Sequence, residues 1–230
     1  MRRKTLNNMD GINTYIFDMD GTILNTLEDL TDSVNFVLRQ FGLPPRSLSE
    51  YRQFFGSGIR YAVSCAVPPG TPEELIDKML PVFREHYNEH CLDKTRPYDG
   101  IPEVMKKLKE RGCKIAIVSN KIDSAVQELN ERFFAQYADA AIGERPGVAR
   151  KPAPDMVMAA LEKLGSSADE AVYVGDSEVD LKTAKNSGIP CIAVLWASGA
   201  ETVCWKTAPS CLRKSRRISS RSDRPGDGSC

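Results

Sequence analysis

The chain has 230 residues, of which 41% are hydrophobic and 27% charged, and its mean hydropathy is −0.34. These values are typical of one globular domain, or of a domain that carries an insertion. No apolar run approaches the ~18 residues that a membrane span needs, and no apolar stretch of signal-peptide type follows the basic start. We therefore expect a cytoplasmic protein that is neither secreted nor bound to a membrane.

The formal net charge of zero is the sum of two unlike segments. Residues 204–230 carry seven basic and two acidic side chains, so residues 1–203 have a net charge of −5. An acidic body argues against nucleic acid as a partner. Four of the seven cysteines lie in that body, widely spaced and without a Cys-x-x-Cys pair, which is typical of reduced thiols.

Apolar runs of strand length alternate with amphipathic stretches along most of the chain. The predicted strands are residues 14–17, 114–119, 138–142, 170–175 and 190–196, and the predicted helices are 101–112, 154–164 and 177–186. The first of these helices has a proline near its first turn and a glycine at its end, where each is best tolerated. Apolar strands separated by helices indicate an α/β fold, in which a parallel sheet is covered on both faces.

Residues 25–95 break this alternation, because they show helical periodicity punctuated by prolines and no strand pattern. We predict that they form a small helical domain inserted after the first strand. The main domain is then discontinuous and comprises residues 9–24 and 96–196. Residues 197–230 form an atypical tail that is basic and rich in serine, arginine and cysteine.

Two carboxylates, Asp18 and Asp20, directly follow the first predicted strand in the run Asp-Met-Asp-Gly-Thr. Like charges this close need a cation or a shared proton, and an oxygen-only pair suits Mg²⁺. A polar turn whose aspartates cap a helix is the alternative. An EF-hand calcium loop does not fit, because it needs glycine at position six and glutamate at position twelve, where this chain has Ile23 and Asp29.

Three further polar segments lie near the ends of predicted strands or helices. Ser119 and Asn120 end the second strand and offer a phosphate cradle, although such residues also serve as helix caps. Lys151 directly precedes two prolines that stiffen the chain before a helix, and it offers a fixed cation, although an exposed lysine is usually just solvated. Asp176, with Asp180 one helical turn later, follows the strand at 170–175 and offers a further metal ligand.

In this order, the four segments resemble the haloacid dehalogenase-like hydrolase superfamily. The runs 96–102 and 174–185 resemble its phosphoglycolate phosphatase-like branch, and the resemblance spans residues 13–196. It implies a three-layer α/β/α Rossmann-like core with a central parallel sheet. It also implies a helical cap that closes over the active site, and residues 25–95 lie where that cap belongs.

The resemblance further implies a Mg²⁺-dependent phosphatase. Asp18 would be the nucleophile that forms an aspartyl-phosphate, and Asp20 would act as general acid and then general base. Asp180 would orient Lys151 or a metal-bound water. The metal ligands would be Asp18, the main-chain carbonyl of Asp20, and Asp176. The residues that contact the phosphate would be Gly21, Thr22, Ser119, Asn120 and Lys151. Lys151 would also be a catalytic residue.

The expected substrate is a small phosphorylated metabolite, with 2-phosphoglycolate as the leading candidate. Gly56, Gly58 and Arg60 resemble a glycine-containing loop placed over the active site, where Arg60 would contact a substrate carboxylate; a surface turn with a solvated arginine is the alternative. A pyrophosphatase, or a sugar-phosphate phosphatase or phosphomutase, is the competing interpretation. A non-catalytic binding protein is disfavoured, because a competent residue occupies every catalytic position. The sequence does not fix the oligomeric state.

The tail departs from the family after Trp196. One interpretation is a one-base deletion that places residues from Ala197 onward out of frame, and the other is a genuine basic tail. In either case we expect no packed helix over residues 213–228, which contain few apolar side chains. Either Met1 or Met9 is compatible with the natural start.

Overall fold

The computed structural model describes residues 11–198 and 203–206. Its strands, in chain order, are β1 (Thr14–Phe17), β2 (Leu24–Asn25), β3 (Arg96–Pro97), β4 (Lys114–Ile122), β5 (Ala140–Glu144), β6 (Ala171–Gly175), β7 (Cys191–Val194) and β8 (Val203–Lys206). Six of them form a central sheet in the order β5-β4-β1-β6-β7-β8, and β2 and β3 form a separate antiparallel pair.

Within the central sheet, the first five strands in that order pair in parallel, and β1 lies in the middle. Thr14 of β1 is opposite Lys114 on one side and Ala171 on the other. The edge strand β8 pairs antiparallel with β7. The predicted α/β fold with a central parallel sheet is confirmed.

The α-helices of the described residues are α1 (Leu27–Gln40), α2 (Leu48–Phe54), α3 (Ile59–Ala66), α4 (Glu73–His90), α5 (Ile101–Glu110), α6 (Asp123–Phe133), α7 (Asp155–Leu164) and α8 (Glu178–Asn186). The helix α5 begins at the predicted residue, with a proline in its first turn. Gly165 ends α7 in the left-handed conformation, at the position where glycine costs least.

Alternation of side chains along the strands divides the core into two clusters, one on each face of the sheet. On one face, Phe17 and Ile117 belong to the cluster that also holds apolar residues of α5 and α6. On the other face, Ile16 and Ala116 belong to the cluster that includes residues of α7 and α8. The sheet is therefore the middle of three layers, as buried parallel strands require.

The helices α1 to α4 pack around a third cluster of their own, which includes Val34, Tyr51, Met79 and Phe83. The short pair of β2 and β3 holds the two ends of this helical insertion together, since Leu24 lies opposite Pro97. This arrangement is compatible with the predicted insertion at residues 25–95. The exact domain boundaries stay a prediction.

Within the predicted tail 197–230, the structure describes a 3₁₀ turn that ends at Ser198 and the backbone of β8. The rest of the tail, and both candidate start residues, lie outside the described residues. Among the described helices, none combines the length and apolar character that crossing a membrane would need.

Candidate active site

The four polar segments meet at one edge of the sheet, where the carboxyl ends of the parallel strands lie. Asp18 follows β1 directly and Asp176 follows β6 directly. Open α/β sheets bind ligands in the crevice outside these strand ends. The strand β4 extends three residues beyond the predicted end, so Ser119 and Asn120 lie inside it, where its register against β5 shifts.

Asp18 is buried and held by both its backbone and its side chain. Its amide donates to the Val174 carbonyl at 2.8 Å, and its Oδ1 accepts from Lys151 Nζ at 2.6 Å. Burial raises the pKa of Asp18 well above its usual value, and the carboxylates of Asp180 and Asp176 raise it further, while Lys151 opposes them. The site is thus short of positive charge next to Asp18.

Lys151 is the buried cation at the centre of this cluster. Its Nζ donates to Asp18, to Asp180 Oδ1 at 2.9 Å and to Tyr173 OH at 3.1 Å. Burial opposes a charge on Lys151, but the Asp18 and Asp180 carboxylates outweigh it and hold the pKa of Lys151 well above its usual value. The lysine is therefore charged at neutral pH, and its three partners fix the ammonium group.

Asp180 uses both carboxylate oxygens to hold its neighbours. Oδ1 accepts from Lys151 and from Tyr173 OH at 3.1 Å, and Oδ2 accepts from the Ser177 amide and hydroxyl at 3.0 and 2.6 Å. These donors lower the pKa of Asp180 although burial raises it. A Cβ at Gly175 would overlap the Asp180 side chain, so glycine makes this packing possible. Asp180 thus contacts Lys151 directly, and its role in orienting the lysine stays a prediction.

Asp18, Asp176 and Asp180 place carboxylate oxygens within 4.8 Å of one another. Burial and, after it, the negative charge of Asp180 raise the pKa of Asp176 to about 7. A divalent cation would relieve this repulsion between the carboxylates. An oxygen-only set of this kind fits Mg²⁺. Lys151, Tyr173 and Ser177 already donate to both oxygens of Asp180. Asp18 and Asp176 are therefore the side chains of this cluster that remain for a metal.

Gly21 and Thr22 support Asp176. The Thr22 hydroxyl donates to Asp176 Oδ1 at 3.0 Å, and a Cβ at Gly21 would lie 2.5 Å from Asp176 Oδ2. The Gly21 amide donates to the Leu24 carbonyl at 2.9 Å. The Gly21 amide and the Thr22 hydroxyl thus already donate to groups of the protein. The phosphate contacts expected of these two residues stay a prediction.

Asp20 lies beside two buried residues that the sequence did not single out. Its Oδ1 accepts from Thr26 Oγ1 at 2.6 Å and pairs with Lys121 Nζ at 3.1 Å. Lys121 Nζ also donates to the hydroxyl of Tyr87 on α4, at 2.8 Å. The sequence signal for Lys121 was its place directly after Ser119 and Asn120, in the polar run at the end of a predicted strand; Tyr87 gave no signal beyond helical periodicity.

Ser119 and Asn120 are buried next to Lys151. Asn120 Nδ2 donates to the Lys151 carbonyl at 3.1 Å, and Ser119 Oγ accepts from the Lys121 amide at 3.2 Å. Asn120 Oδ1 is buried and has no partner among the described residues. Both side chains face the cavity that Asp18 also lines, so the structure brings them together with the predicted nucleophile.

A cavity of about 420 Å³ lies between the strand ends and the helical insertion. Its floor includes Asp18, Asp20 and Lys151, and Gly56 and Gly58 line the side of the insertion. Its apolar lining consists of Leu30, Phe55, Ile59, Phe83, Ile122 and Val148, with Pro146 at the edge. The arginines that line it are Arg84, Arg145 and Arg150.

Arg60 is not among the residues that line this cavity. Its guanidinium pairs with Glu73 at 2.5 Å and Asp77 at 2.9 Å, and its side chain is 41% exposed. The structure therefore brings Gly56 and Gly58 to the cavity but leaves Arg60 on the outer side of the insertion. These ion pairs give no support to the substrate contact expected of Arg60.

Known proteins share this sequence pattern and this fold. The family model described as haloacid dehalogenase-like hydrolase matches residues 15–194. A phosphoglycolate phosphatase of Aquifex aeolicus is 30% identical over 79% of this chain and 84% of its own length. An N-acetylmuramic acid 6-phosphate phosphatase of Pseudomonas aeruginosa is 27% identical over 80% of this chain and 81% of its own length. A crystal structure from Lactobacillus delbrueckii, provisionally named a phosphoglycolate phosphatase, is 39% identical, has a TM-score of 0.77, and covers 81% of this chain and 87% of that one.

Proposed function

The chain belongs to the haloacid dehalogenase-like hydrolases and is a phosphoric monoester hydrolase, and from that premise we propose that it hydrolyses 2-phosphoglycolate with Mg²⁺, through an aspartyl-phosphate on Asp18. The observation that carries this proposal is the buried cluster of Asp18, Lys151 and Asp180 at the cavity floor. It pairs a carboxylate nucleophile with a fixed cation at the wall of a cavity of about 420 Å³.

In the first step, an Asp18 oxygen attacks the substrate phosphorus, and the bond from phosphorus to the leaving oxygen breaks. Asp20 gives its proton to that oxygen, so the product leaves as an alcohol. In the second step, water attacks the phosphorus of the aspartyl-phosphate, Asp20 takes the water proton, and Asp18 is regenerated with release of phosphate. Dividing the reaction in two lowers the barrier of each part.

Lys151 provides positive charge where the phosphoryl group develops negative charge. Its ammonium is already fixed by Asp180 and Tyr173, so it needs little reorganisation during the reaction. Ser119 and Asn120 line the same part of the cavity and supply a hydroxyl and an amide group to the phosphoryl oxygens. Asn120 Oδ1 has no donor among the residues that the structure describes, so a water or a substrate hydroxyl can serve as its donor.

Asp18 and Asp176, with the Asp20 main-chain carbonyl, would hold the Mg²⁺. When bound, the metal neutralises the repulsion between the Asp18 carboxylate and the anionic substrate. Thr22 donates to Asp176 Oδ1 and so orients this ligand, and Gly21 leaves space for Asp176 Oδ2. The net negative charge of the body makes such local positive charge necessary for substrate binding.

We place this reaction in the cytoplasm. Among the described side chains, the cysteines Cys65, Cys91 and Cys113 carry free thiols. Free thiols at these buried and half-buried positions match a reducing compartment.

A sugar-phosphate phosphatase is the second candidate, and the cavity favours it. At about 420 Å³, the cavity falls within the range that accommodates drug-sized ligands, so it has more room than a two-carbon acid needs. Arg60, expected to hold the carboxylate of that acid, lies in surface ion pairs instead. The relative from P. aeruginosa shows that a close sequence can serve a sugar phosphate.

Steady-state turnover of a substrate panel with Mg²⁺ tests these assignments. The panel contains 2-phosphoglycolate, N-acetylmuramic acid 6-phosphate, β-glucose 1-phosphate and pyrophosphate. We expect the highest kcat/KM for 2-phosphoglycolate, and a higher value for the sugar phosphate would select the second candidate. An Asp18→Asn variant is the control for contaminating phosphatases. No turnover of any ester by the wild-type protein would favour a binding function.

A further inference from the structure

A buried lysine contacts the carboxylate that acts as general acid and base. The Lys121 side chain is only 5% exposed, and its Nζ lies 3.1 Å from Asp20 Oδ1. It also donates to Tyr87 OH at 2.8 Å and lies 4.4 Å from the centroid of the Tyr87 ring. A charged group is kept in such a place only when its partners offset the loss of hydration. Asp20 and Tyr87 are those partners.

The two oxygens of Asp20 have different surroundings. Oδ1 receives the Thr26 hydroxyl at 2.6 Å in addition to Lys121. Among the described residues, no hydrogen-bond donor is recorded for Oδ2. Since Asp20 lines the cavity, Oδ2 is the oxygen available to exchange a proton with substrate or water. Fixing one oxygen restricts the carboxylate while leaving the other one free to react.

The donors to Oδ1 connect Asp20 to both ends of the helical insertion. Thr26 is the residue that precedes α1, where the insertion begins. Tyr87 lies in the last turns of α4, where the insertion ends, and it is itself buried. Lys121 joins this second end to Asp20, because its ammonium contacts both Tyr87 and the carboxylate.

We propose that Lys121 is a positioning residue, held by Tyr87, that keeps the Asp20 carboxylate in place to protonate the leaving group. This rests on the proposed function, in which Asp20 performs that protonation. A purely structural lysine would affect folding without changing which substrates react. A lysine that bound the phosphate would affect all phosphate esters alike, because they share the phosphoryl group.

Leaving-group dependence separates these roles. An alkyl phosphate such as 2-phosphoglycolate needs protonation of its leaving oxygen, whereas p-nitrophenyl phosphate releases a stable anion that needs little. General acid catalysis contributes about 10²–10⁴-fold to a rate, so loss of position should forfeit a large part of it. In Lys121→Met we expect kcat for the alkyl ester to fall about 10–100-fold, with a fall at least about tenfold smaller for the aryl ester and similar KM values.

Lys114→Met is the matched control, since Lys114 lies at the other end of the same strand and its ammonium, within the described part of the chain, donates to the carbonyls of Leu164 and Gly165. It should leave the ratio of alkyl to aryl kcat unchanged. Tyr87→Phe keeps the ring and removes the hydroxyl, so it supplies a milder test if Lys121→Met folds poorly. We expect this variant to lower the alkyl rate about 3–10-fold and to change the aryl rate less.

Equal losses on both esters in the Lys121 and Tyr87 variants would overturn the proposal, and so would a rise in KM on both with kcat unchanged. The failure of the proposed function gives a different result. In that case wild-type protein turns over neither ester, or Asp18→Asn stays active, and both proposals fall together. If Lys121→Met does not fold, an unchanged alkyl-to-aryl ratio in Tyr87→Phe also overturns the proposal.

Discussion

Replacing Lys151 with methionine should destabilise the protein strongly, because it leaves two buried carboxylates without their shared cation. Lys151 Nζ lies 2.6 Å from Asp18 and 2.9 Å from Asp180, and its side chain is 3% exposed. Removing one partner of a buried ion pair costs about 3–5 kcal/mol. In a chain of this length, that loss lowers Tm by roughly 6–20 °C.

Thermal unfolding followed by circular dichroism in the presence of a chelator measures this effect. Lys182→Met is the control, because Lys182 is 58% exposed and pairs with Glu178 on the helix surface. Such exposed pairs contribute about 0.3–0.5 kcal/mol, so Tm should change by only a degree or two. The double variant Lys151→Met/Asp180→Asn should recover part of the lost Tm, since it removes one of the unpaired charges. Equal Tm values for the Lys151 and Lys182 variants would refute this reasoning.

Three further results are expected. The pKa of Asp176 is raised to about 7 in the folded protein, so below that pH the folded state holds a proton that the unfolded state releases. The metal-free protein should therefore lose up to about 4 kcal/mol of stability as the pH rises from the ordinary pKa of an aspartate to about 7. Mg²⁺ should therefore raise Tm more at pH 8 than at pH 5, and equal shifts at the two pH values would contradict this assignment. Gly21→Ala should weaken Mg²⁺ binding, measured by calorimetry, at least about tenfold, because its Cβ meets Asp176; Gly42→Ala has similar backbone strain in open space and should bind normally. Arg60→Ala should change KM for 2-phosphoglycolate less than about twofold, since the ion pairs of Arg60 are exposed. Lys182→Met is again the control. A tenfold rise in KM for Arg60→Ala would show that Arg60 contacts the substrate.

The sequence predicted most elements because their signals are local. The strand β1 and the start of α5 lie where the apolar pattern and the proline placed them. The strand β4 runs to Ile122, beyond its apolar pattern. The polar residues at its end are buried by contacts with Lys151 and with Tyr87 of the helical insertion, and not by the helices that cover the sheet. The local sequence pattern carries no information about burial by residues that are distant along the chain.

In the site too, residues with a local sequence signal could be predicted, and contacts between distant residues could not. Asp18 and Asp176 could be located from the sequence, because each directly follows a buried strand and parallel strand ends converge. The pair of Lys121 and Tyr87 could not, since the two residues are 34 positions apart and meet only when α4 packs on the sheet edge. Arg60 illustrates the converse: a glycine-rich context suggested a ligand contact, but acidic side chains on α4 pair with it.

The central claim is that Asp18 forms a covalent aspartyl-phosphate. Borohydride added during turnover reduces an acyl phosphate to an alcohol and so converts the modified aspartate into homoserine, which peptide mass spectrometry locates. We expect homoserine at residue 18 in the wild-type protein with substrate and Mg²⁺, and none without substrate. Homoserine at Asp20 or Asp176, or rapid turnover with no trapped residue, would contradict it.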